Sequence, residues 1–515
     1  MKKCYFALLV ISAFWVSCSS SSVEGEPPTP PVKGDFRLHA YLQNGMVIQQ
    51  NQPLRLWGRG TPGIELTASG SWASTKVTCV ASKEGFWEVA LPVVAAPADN
   101  APQSVTVASS QKTVSLSDLL IGEVWLLGGQ SNMDFKMSQV LNHAAEIAAA
   151  DHPQIRFFSM YPTDADRPEW EWRLDRPQSY YTWRKCSPSS AADMSAVGYY
   201  FGQMLHRELG VPVGLINTSN GGATAQAYTP ISALRDNPAL KTTFVDSATP
   251  GMNPLQRPAA LYNAMVAPIL GASIRGVAWY QGEGNWGDYD IYPLLMKTLM
   301  TAWRQNFRCG TVPFYCVQIA PWAMGTDVSQ PAMFYAQQYP YFLLREAQTK
   351  IRNEVAATGM AVTMDVGDAN DIHPINKRPV GERLARLALN QTYGRSEVKC
   401  LGPRYKSLKV EASVVKIAFD NAEGLMTRDA QAPVHFYVAA ATGAQHRFHA
   451  TVATIHGSEV WLSCPEVVTA TTTARDIQVR YAMLIAPTTN LQNGAGLPAE
   501  PFRTDTWSEG VSYVY

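Results

Sequence analysis

The chain has 515 residues, and its 42 basic residues are balanced by 42 acidic residues. A chain of this length predicts more than one domain, with about three as the starting expectation. The formal net charge of zero argues against a nucleic-acid partner and against a polyanionic substrate, since neither would meet an attracting field.

The first 34 residues are typical of an export signal followed by a tether. Lys2 and Lys3 precede an apolar stretch over residues 5–16, which is too short to span a bilayer. Residues 15–18, WVSC, resemble a bacterial lipobox, so residues 1–17 would be the signal peptide and Cys18 the lipidated first residue. Residues 18–34 are rich in Ser and Pro and predict a flexible tether. We expect an exported lipoprotein of a Gram-negative bacterium, held at the outer membrane by this lipid alone, on the periplasmic or cell-surface side; an ordinary cleaved signal is the alternative.

Six cysteines remain once Cys4 and Cys18 are set aside, and none forms a CxxC pair with metal-ligand spacing. Export permits disulfides, and Cys309 and Cys316 are the closest pair, although their spacing leaves bridging open. The chain has no His and Cys cluster with ligand spacing, so neither a metal nor a cofactor is expected.

Residues 35–120 predict a β-sandwich-like domain. Short alternating strands, for example over residues 53–58 and 85–92, are separated by turns that contain Gly and Pro. No set of catalytic residue types occurs in this part of the chain.

Residues 121–395 alternate between apolar strands and amphipathic helices, which predicts a layered α/β domain. A helix over residues 196–209 is expected to end at Gly210 as its C-cap. Four strands run into loops that are rich in Gly, Asn and Ser or contain His, and they span residues 124–127, 213–216, 274–280 and 360–364. Because parallel strands place their carboxyl ends at one edge of a sheet, these loops are expected to converge.

The segment IGEVWLLGGQSNMDFKM, residues 121–137, places Ser131 just past the end of a buried strand. Its GEVW and GQSNM parts resemble the nucleophile block of the sialate O-acetylesterases, a branch of the SGNH hydrolases. The segments MVIQQNQPLRLWG, GFWEVALP and GLPAEPFRTD resemble other parts of that family. The resemblance implies an SGNH-type three-layer α/β/α catalytic domain with flanking all-β, sandwich-like domains.

An esterase with an activated serine needs a nucleophile, a base and donors for the oxyanion. The chain contains no Gly-x-Ser-x-Gly, which argues against the common nucleophile elbow. The resemblance assigns Ser131 in GQSNM as nucleophile and His373 in DIHP as base. It also implies an oxyanion hole formed by the backbone N–H groups of Ser131 and Gly222 and by the side-chain amide of Asn285.

The choice of His373 also follows from its position, since it lies in a polar loop after a predicted strand. His143 and His152 lie close to the serine in sequence, but we expect them on the surface of a helical stretch.

The acidic residue that orients His373 is left open by the sequence. Many SGNH hydrolases place an aspartate three residues before the histidine, where this chain has Asn370. Asp371 matches the DIHP form of this branch and is the preferred third member of the triad. Asp368 and Glu283 compete with it, and Glu283 is alternatively expected to orient Gln130 or to contact substrate.

The resemblance implies an O-acetylated sugar as substrate, with sialic acid favoured. Sialic acid carries a carboxylate, for which an arginine near the site is expected. The candidate substrate-binding residues are Arg257, Arg378, Trp286, Gln130, Gln281 and Glu283. Trp286 is paired with Tyr289 as a candidate sugar-facing wall. Surface or packing roles are equally open for the two arginines, Trp286 and Tyr289.

Residues 396–515 return to a β pattern and predict a third domain that covers the catalytic one. Two further functions remain alternatives: an acetylxylan or other hemicellulose acetyl esterase, and a surface glycan-binding lipoprotein without turnover. A glycosidase that uses Glu283 would need a second carboxylate, which the sequence does not identify.

Overall fold

The computed structural model describes residues 35–172, 177, 179–323, 341–443, 446–507 and 511–514. The predicted signal peptide (1–17), Cys18 and the tether (18–34) lie outside these residues. Within the described ranges, none of the helices combines the length and the apolar character that crossing a bilayer requires.

The N-terminal domain consists of two small antiparallel sheets. Its strands are β1 (Phe36–Leu38), β2 (Val47–Gln49), β3 (Leu54–Gly60), β4 (Glu65–Gly70), β5 (Lys76–Val80), β6 (Phe86–Leu91), β7 (Gln103–Ala108) and β8 (Thr113–Gly129). One sheet has the order β1-β3-β6. In the other β4 pairs with both β5 and β7, and β7 with β8, while the short strand β2 lies parallel to β8. Alternating exposed and buried residues along β6 match a sheet that has one face in water.

Strand β8 belongs to two domains at once. Residues 113–119 pair with β7, residues 120–122 pair with β2, and residues 123–129 lie in the central sheet of the next domain. The boundary predicted at residues 120/121 therefore falls inside one continuous strand. The N-terminal domain and the segment that carries Ser131 are joined without a linker.

The central sheet carries helices on both faces. Its further strands are β9 (His152–Ser159), β10 (Arg184–Cys186), β11 (Val213–Asn217), β12 (Gly276–Tyr280), β13 (Phe314–Val317) and β14 (Thr358–Ala361). The order is β10-β9-β11-β8-β12-β13-β14, and β10 alone is antiparallel to its neighbour. Strands β11, β12 and β13 are buried at every position, as expected for strands covered on both sides.

Two helices pack on one face of this sheet, Ala196–Leu209 and Arg378–Leu387, and two on the other, Tyr292–Phe307 and Tyr341–Glu354. The first helix has the predicted bounds: Ser195 Oγ caps its start by accepting from Gly198 N, and Gly210 ends it with φ of 69°. Shorter α-helices span Ser131–Asp134, His143–Ala148, Ile231–Arg235 and Pro238–Leu240. Single turns of 3₁₀ or π type span Met137–Gln139, Ala191–Asp193, Ala225–Tyr228, Lys241–Val245, Tyr262–Val266, Ala267–Ile269, Glu283–Asp288 and Ala388–Thr392. The predicted α/β/α arrangement is confirmed.

The prediction that His143 and His152 lie on the surface of a helical stretch is partly wrong. His143 begins a short exposed helix as expected, but His152 begins β9 and its ring contacts Gln203 at 3.1 Å. Residues 155–159, which include Arg156, form the continuously buried part of this strand.

The C-terminal domain is all-β. Its strands are β15 (Arg404–Glu411), β16 (Val414–Asp420), β17 (Met426–Thr427), β18 (Phe436–Ala440), β19 (His446–Ala450), β20 (Val452–His456), β21 (Glu459–Ser463), β22 (Ile477–Tyr481), β23 (Leu491–Gln492), β24 (Phe502–Arg503) and β25 (Val511–Val514). They form sheets of order β15-β16-β21-β20 and β24-β22-β18-β19-β25, and β17 pairs with β23. The domain packs on the helix Tyr341–Glu354, where Arg345 donates to Leu484 O and Arg352 pairs with Glu500 at 2.8 Å.

Candidate active site

The serine is presented by a close approach of β8 to β12. Gly129 has φ of 129°, and a Cβ at this position would lie 2.1 Å from Tyr280 O. Gln130 N donates to the same carbonyl at 2.9 Å. Only glycine fits both the backbone conformation and the contact, and the chain then turns so that Ser131 opens the short helix Ser131–Asp134.

Ser131 and His373 meet although 242 positions separate them in the sequence. The Oγ–Nε2 distance is 2.8 Å, a hydrogen bond of normal length. The ring of Phe135 lies beside the imidazole, with 6.3 Å between the ring centroids and 25° between the ring planes. The loop after β14 and the turn after β8 therefore form a nucleophile–base pair.

Asp371 is the candidate carboxylate in contact with His373. Its Oδ1 lies 3.6 Å from Nδ1 of the ring, longer than a hydrogen bond, and accepts the His373 backbone N–H at 2.8 Å. Asp368 instead accepts Asn370 N, and Glu283 accepts from Asn132. Asp371 is 56% exposed, so its charge is well solvated.

The surroundings of His373 favour its neutral form. Partial burial lowers the pKa of the imidazole, the Lys377 ammonium lowers it further, and Asp371 opposes both effects. A neutral imidazole at pH 7 can accept the proton of Ser131 at Nε2, provided that the hydrogen is on Nδ1 and faces Asp371.

The backbone N–H groups of two predicted oxyanion donors, Ser131 and Gly222, lie outside the hydrogen bonds that close their own turns. Ser131 is the first residue of a helical turn, where the N–H has no intrahelical acceptor. The turn of residues 220–223 is closed by Ala223 N donating to Asn220 O, which leaves the Gly222 N–H outside that bond. Gly221 lies against the serine, since a Cβ on it would be 3.6 Å from Ser131 Cβ, and Gly222 has φ of 73°.

The side-chain amide of the third predicted donor, Asn285, is hydrogen-bonded within the protein. Its Nδ2 donates to Gln226 Oε1 at 2.9 Å and to Asp288 Oδ2 at 2.8 Å, and its Oδ1 accepts from Ala225 N and Gln281 Nε2. Both amide hydrogens are used, so Asn285 fastens the loop after β12 to the loop after β11. It would have to break one of these bonds to reach an oxyanion.

The two glutamines predicted to bind substrate are also held by the protein. Gln281 is fully buried and donates to Ala223 O and Asn285 Oδ1, while its Oε1 accepts from Tyr292. Gln130 Oε1 accepts the backbone N–H of Gly284 at 3.0 Å. The expectation that Glu283 orients Gln130 is not met, because the contact is with the backbone beside Glu283 and not with its carboxylate.

A buried network that the sequence does not predict lies beneath the serine. Asn132, fully buried, donates to Glu283 Oε1 at 2.7 Å and to Ile372 O at 3.0 Å, and its Oδ1 accepts from Lys377 Nζ. Burial raises the pKa of Glu283 and lowers the pKa of Lys377 to about 7, and each charge opposes the shift of the other. The available signal was a lysine four residues after His373, in a loop that has to close over the serine.

The predicted arginines are already paired with acidic side chains. Arg257 contacts Asp164 at 2.6 Å and Asp166 at 2.9 Å. Arg378 pairs with Glu146 at 2.6 Å and with Glu382 at 3.5 Å. Its guanidinium also lies over the ring of Tyr200. Trp286 is half-buried and packs against the core on the side of the helix Tyr292–Phe307.

The six cysteines of the described residues, Cys309 and Cys316 among them, are all unbridged. The same part of the chain contains no group of three or more His, Cys, Asp or Glu arranged to hold a metal ion.

A serine–histidine pair at the carboxyl ends of a parallel, helix-covered sheet defines a hydrolase of the α/β/α class. The sequence profile described as "Carbohydrate esterase, sialic acid-specific acetylesterase" matches residues 121–390, nearly the whole of the predicted catalytic domain. The chain belongs to this family and is a carboxylic ester hydrolase.

Relatives that cover most of the chain agree. Human sialate O-acetylesterase is 30% identical over 73% of this chain and 75% of its own length, and the mouse enzyme is 28% identical over 73% and 77%. A carbohydrate acetylesterase from Xanthomonas citri has a similar crystal structure, with a TM-score of 0.78 and 31% identity, covering 92% of this chain and all of that one. That match extends over the flanking β domains as well as the catalytic one.

Proposed function

We propose that this protein removes O-acetyl groups from sialic acids in host glycan degradation, through an acetyl-enzyme on Ser131. The observation that carries the proposal is the 2.8 Å contact between Ser131 Oγ and His373 Nε2. The family description and the names of the mammalian relatives support acetylated sialic acid as the substrate.

In the first step His373 takes the proton of Ser131 as Oγ attacks the acetyl carbonyl. The oxyanion that forms is met by the N–H groups of Ser131 and Gly222, and each such donor stabilises the transition state by roughly 2.7–4 kcal/mol. His373 then protonates the departing sugar oxygen, and the acetyl group stays on Ser131.

In the second step a water molecule takes the place of the sugar hydroxyl. His373 takes a proton from the water as its oxygen attacks the acetyl carbon, and then gives that proton to the departing Ser131 Oγ, so that acetate leaves and the serine is restored. Asp371 stabilises the imidazolium that forms transiently in both steps.

The salt bridges made by Arg257 and Arg378 favour one alternative substrate. Because Arg257 and Arg378 are both neutralised by acidic neighbours, neither is a free partner for the sialate carboxylate. A neutral acetylated sugar, such as a unit of acetylated xylan, would require no such partner. A glycosidase role for Glu283 has no support, since that carboxylate is committed to Asn132.

The test is acetate release from O-acetylated sialoglycans and from acetylated xylan, with the wild type and Ser131→Ala. We expect release from the sialoglycan and a loss on the order of 10⁶-fold in kcat for Ser131→Ala. Faster acetate release from acetylated xylan than from the sialoglycan would make acetylated xylan the preferred substrate. Activity retained by Ser131→Ala would refute the mechanism. Glycan binding without any acetate release would favour the non-catalytic alternative.

We further propose that the chain is an outer-membrane lipoprotein anchored through Cys18. The charged start, short apolar stretch and WVSC segment support this location.

A further inference from the structure

Lys377 is buried directly behind the candidate active site. It is 1% exposed and precedes the helix Arg378–Leu387. Its ammonium lies 4.7 Å from the centroid of the Phe135 ring, 5.7 Å from that of Tyr280, and donates to Asn132 Oδ1. Lysine is almost never fully buried without a reason, because desolvating the ammonium is costly.

The contact with Lys377 determines which way the Asn132 amide points. An ammonium can only donate, so it requires the oxygen of the amide to face it. The Asn132 nitrogen must then face the other side, where it donates to Glu283 and to the carbonyl of Ile372. Ile372 immediately precedes His373, so this carbonyl fixes the backbone that carries the base.

We propose that Lys377 is a positioning residue. It orients Asn132, which holds the backbone at Ile372 so that His373 stays within hydrogen-bonding distance of Ser131. The inference rests on the proposed function, because it assumes that Ser131 and His373 perform the reaction. Lys377 does not touch the reacting atoms, and its effect is transmitted through the Asn132 amide.

The charge of Lys377 also acts on His373. The charged groups that face the imidazole are Asp371 from its own loop and Lys377 from the start of the following helix, while Glu283 lies behind Asn132. Lys377 lowers the pKa of His373, so its removal raises that pKa. The acid limb of the pH profile of kcat/KM therefore moves to higher pH without this cation.

The experiment compares Lys377→Met with Lys377→Gln. Methionine fills the space without a donor or a charge, whereas glutamine keeps a donor for Asn132 Oδ1 and removes only the charge. We expect about a 10²-fold fall in kcat for the methionine variant with KM changed less than about threefold, since a misplaced base costs that much. The glutamine variant should recover at least about tenfold of this loss, and both should show the upward shift of the acid limb.

Lys136→Met is the matched control. Lys136 flanks the same serine turn but is half-exposed and pairs with Asp134 at 2.7 Å, so kcat should change less than about twofold. Equal kcat values for the two Lys377 variants, an acid limb that stays in place, or a rise in KM instead of a fall in kcat would overturn the inference. If the methionine variant does not fold, the comparison of glutamine with wild type still tests the acid limb. If Ser131→Ala loses activity but both Lys377 variants keep the wild-type kcat and pH profile, the role of Lys377 is refuted and the proposed function is not.

Discussion

Replacing Asp371 by asparagine tests which carboxylate supports the base. The change is nearly isosteric, and an asparagine oxygen can still accept the His373 backbone N–H that Asp371 accepts at 2.8 Å. What disappears is the negative charge 3.6 Å from Nδ1 of the imidazole. The variant therefore isolates the electrostatic part of the contact from its role in shaping the loop.

The size of the effect follows from distance and exposure. Two unit charges 3.6 Å apart interact by about 1.2 kcal/mol in water and by about 4.6 kcal/mol at an effective dielectric constant of 20. Because Asp371 is 56% exposed, the value lies toward the water limit, at about 1–2 kcal/mol. This corresponds to a loss of about 5–30-fold in kcat/KM, far less than the roughly 10⁴-fold expected for a buried orienting aspartate.

The assay is kcat/KM for acetate release as a function of pH, with Asp368→Asn as the matched control. Asp368 lies in the same loop and accepts Asn370 N, so its variant should remain within about twofold of wild type. Since Asp371 raises the pKa of His373, Asp371→Asn should move the acid limb to lower pH. An equal loss in both variants, or an unchanged Asp371→Asn, would refute the assignment.

Two further predictions concern the scaffold. Gly129→Ala should destabilise the protein by at least about 3 kcal/mol in urea unfolding, because the new Cβ would lie 2.1 Å from Tyr280 O. Gly210→Ala, also at positive φ but with open space around it, should cost only about 1–2 kcal/mol, and similar losses in both variants would contradict the steric reasoning. Arg480→Met should cost about 3–5 kcal/mol, because the fully buried carboxylate of Asp505 loses its partner at 2.6 Å and keeps only the more distant Arg503 at 3.6 Å. A change below about 1 kcal/mol in the same measurement would show that this pair behaves like an exposed one.

Local patterns were sufficient for most of the catalytic domain. Apolar periodicity and Gly210 predicted the helix Ala196–Leu209 to the residue, and the apolar run before Ser131 predicted a buried strand. The boundary predicted at residues 120/121 lies within β8, close to the point where alternating exposed and buried residues give way to continuous burial. Hydropathy records burial, but it does not record which neighbouring strand provides that burial.

The same distinction explains the outcome at the site. Motifs at strand ends predicted that Ser131 and His373 lie close together, because parallel strands place such loops at one edge of the sheet. The direction of the Asn285 amide depends on Gln226 and Asp288, which compete with the oxyanion for its two hydrogens. Lysine side chains are mostly exposed in proteins, and the burial of Lys377 results from the packing of several separate segments.

The two acidic groups near the site, Glu283 and Asp371, differ in burial and therefore in how they act on His373. Glu283 and Lys377 lie on opposite sides of Asn132, so the buried layer carries two charges that offset one another and can act through geometry. Asp371 lies beside His373 and is open to water. Its charge is therefore the one that can respond when the imidazolium forms, at a strength limited by solvent. The pH profile should accordingly be sensitive to Asp371 and Lys377 in opposite directions, because one raises and the other lowers the pKa of the same imidazole.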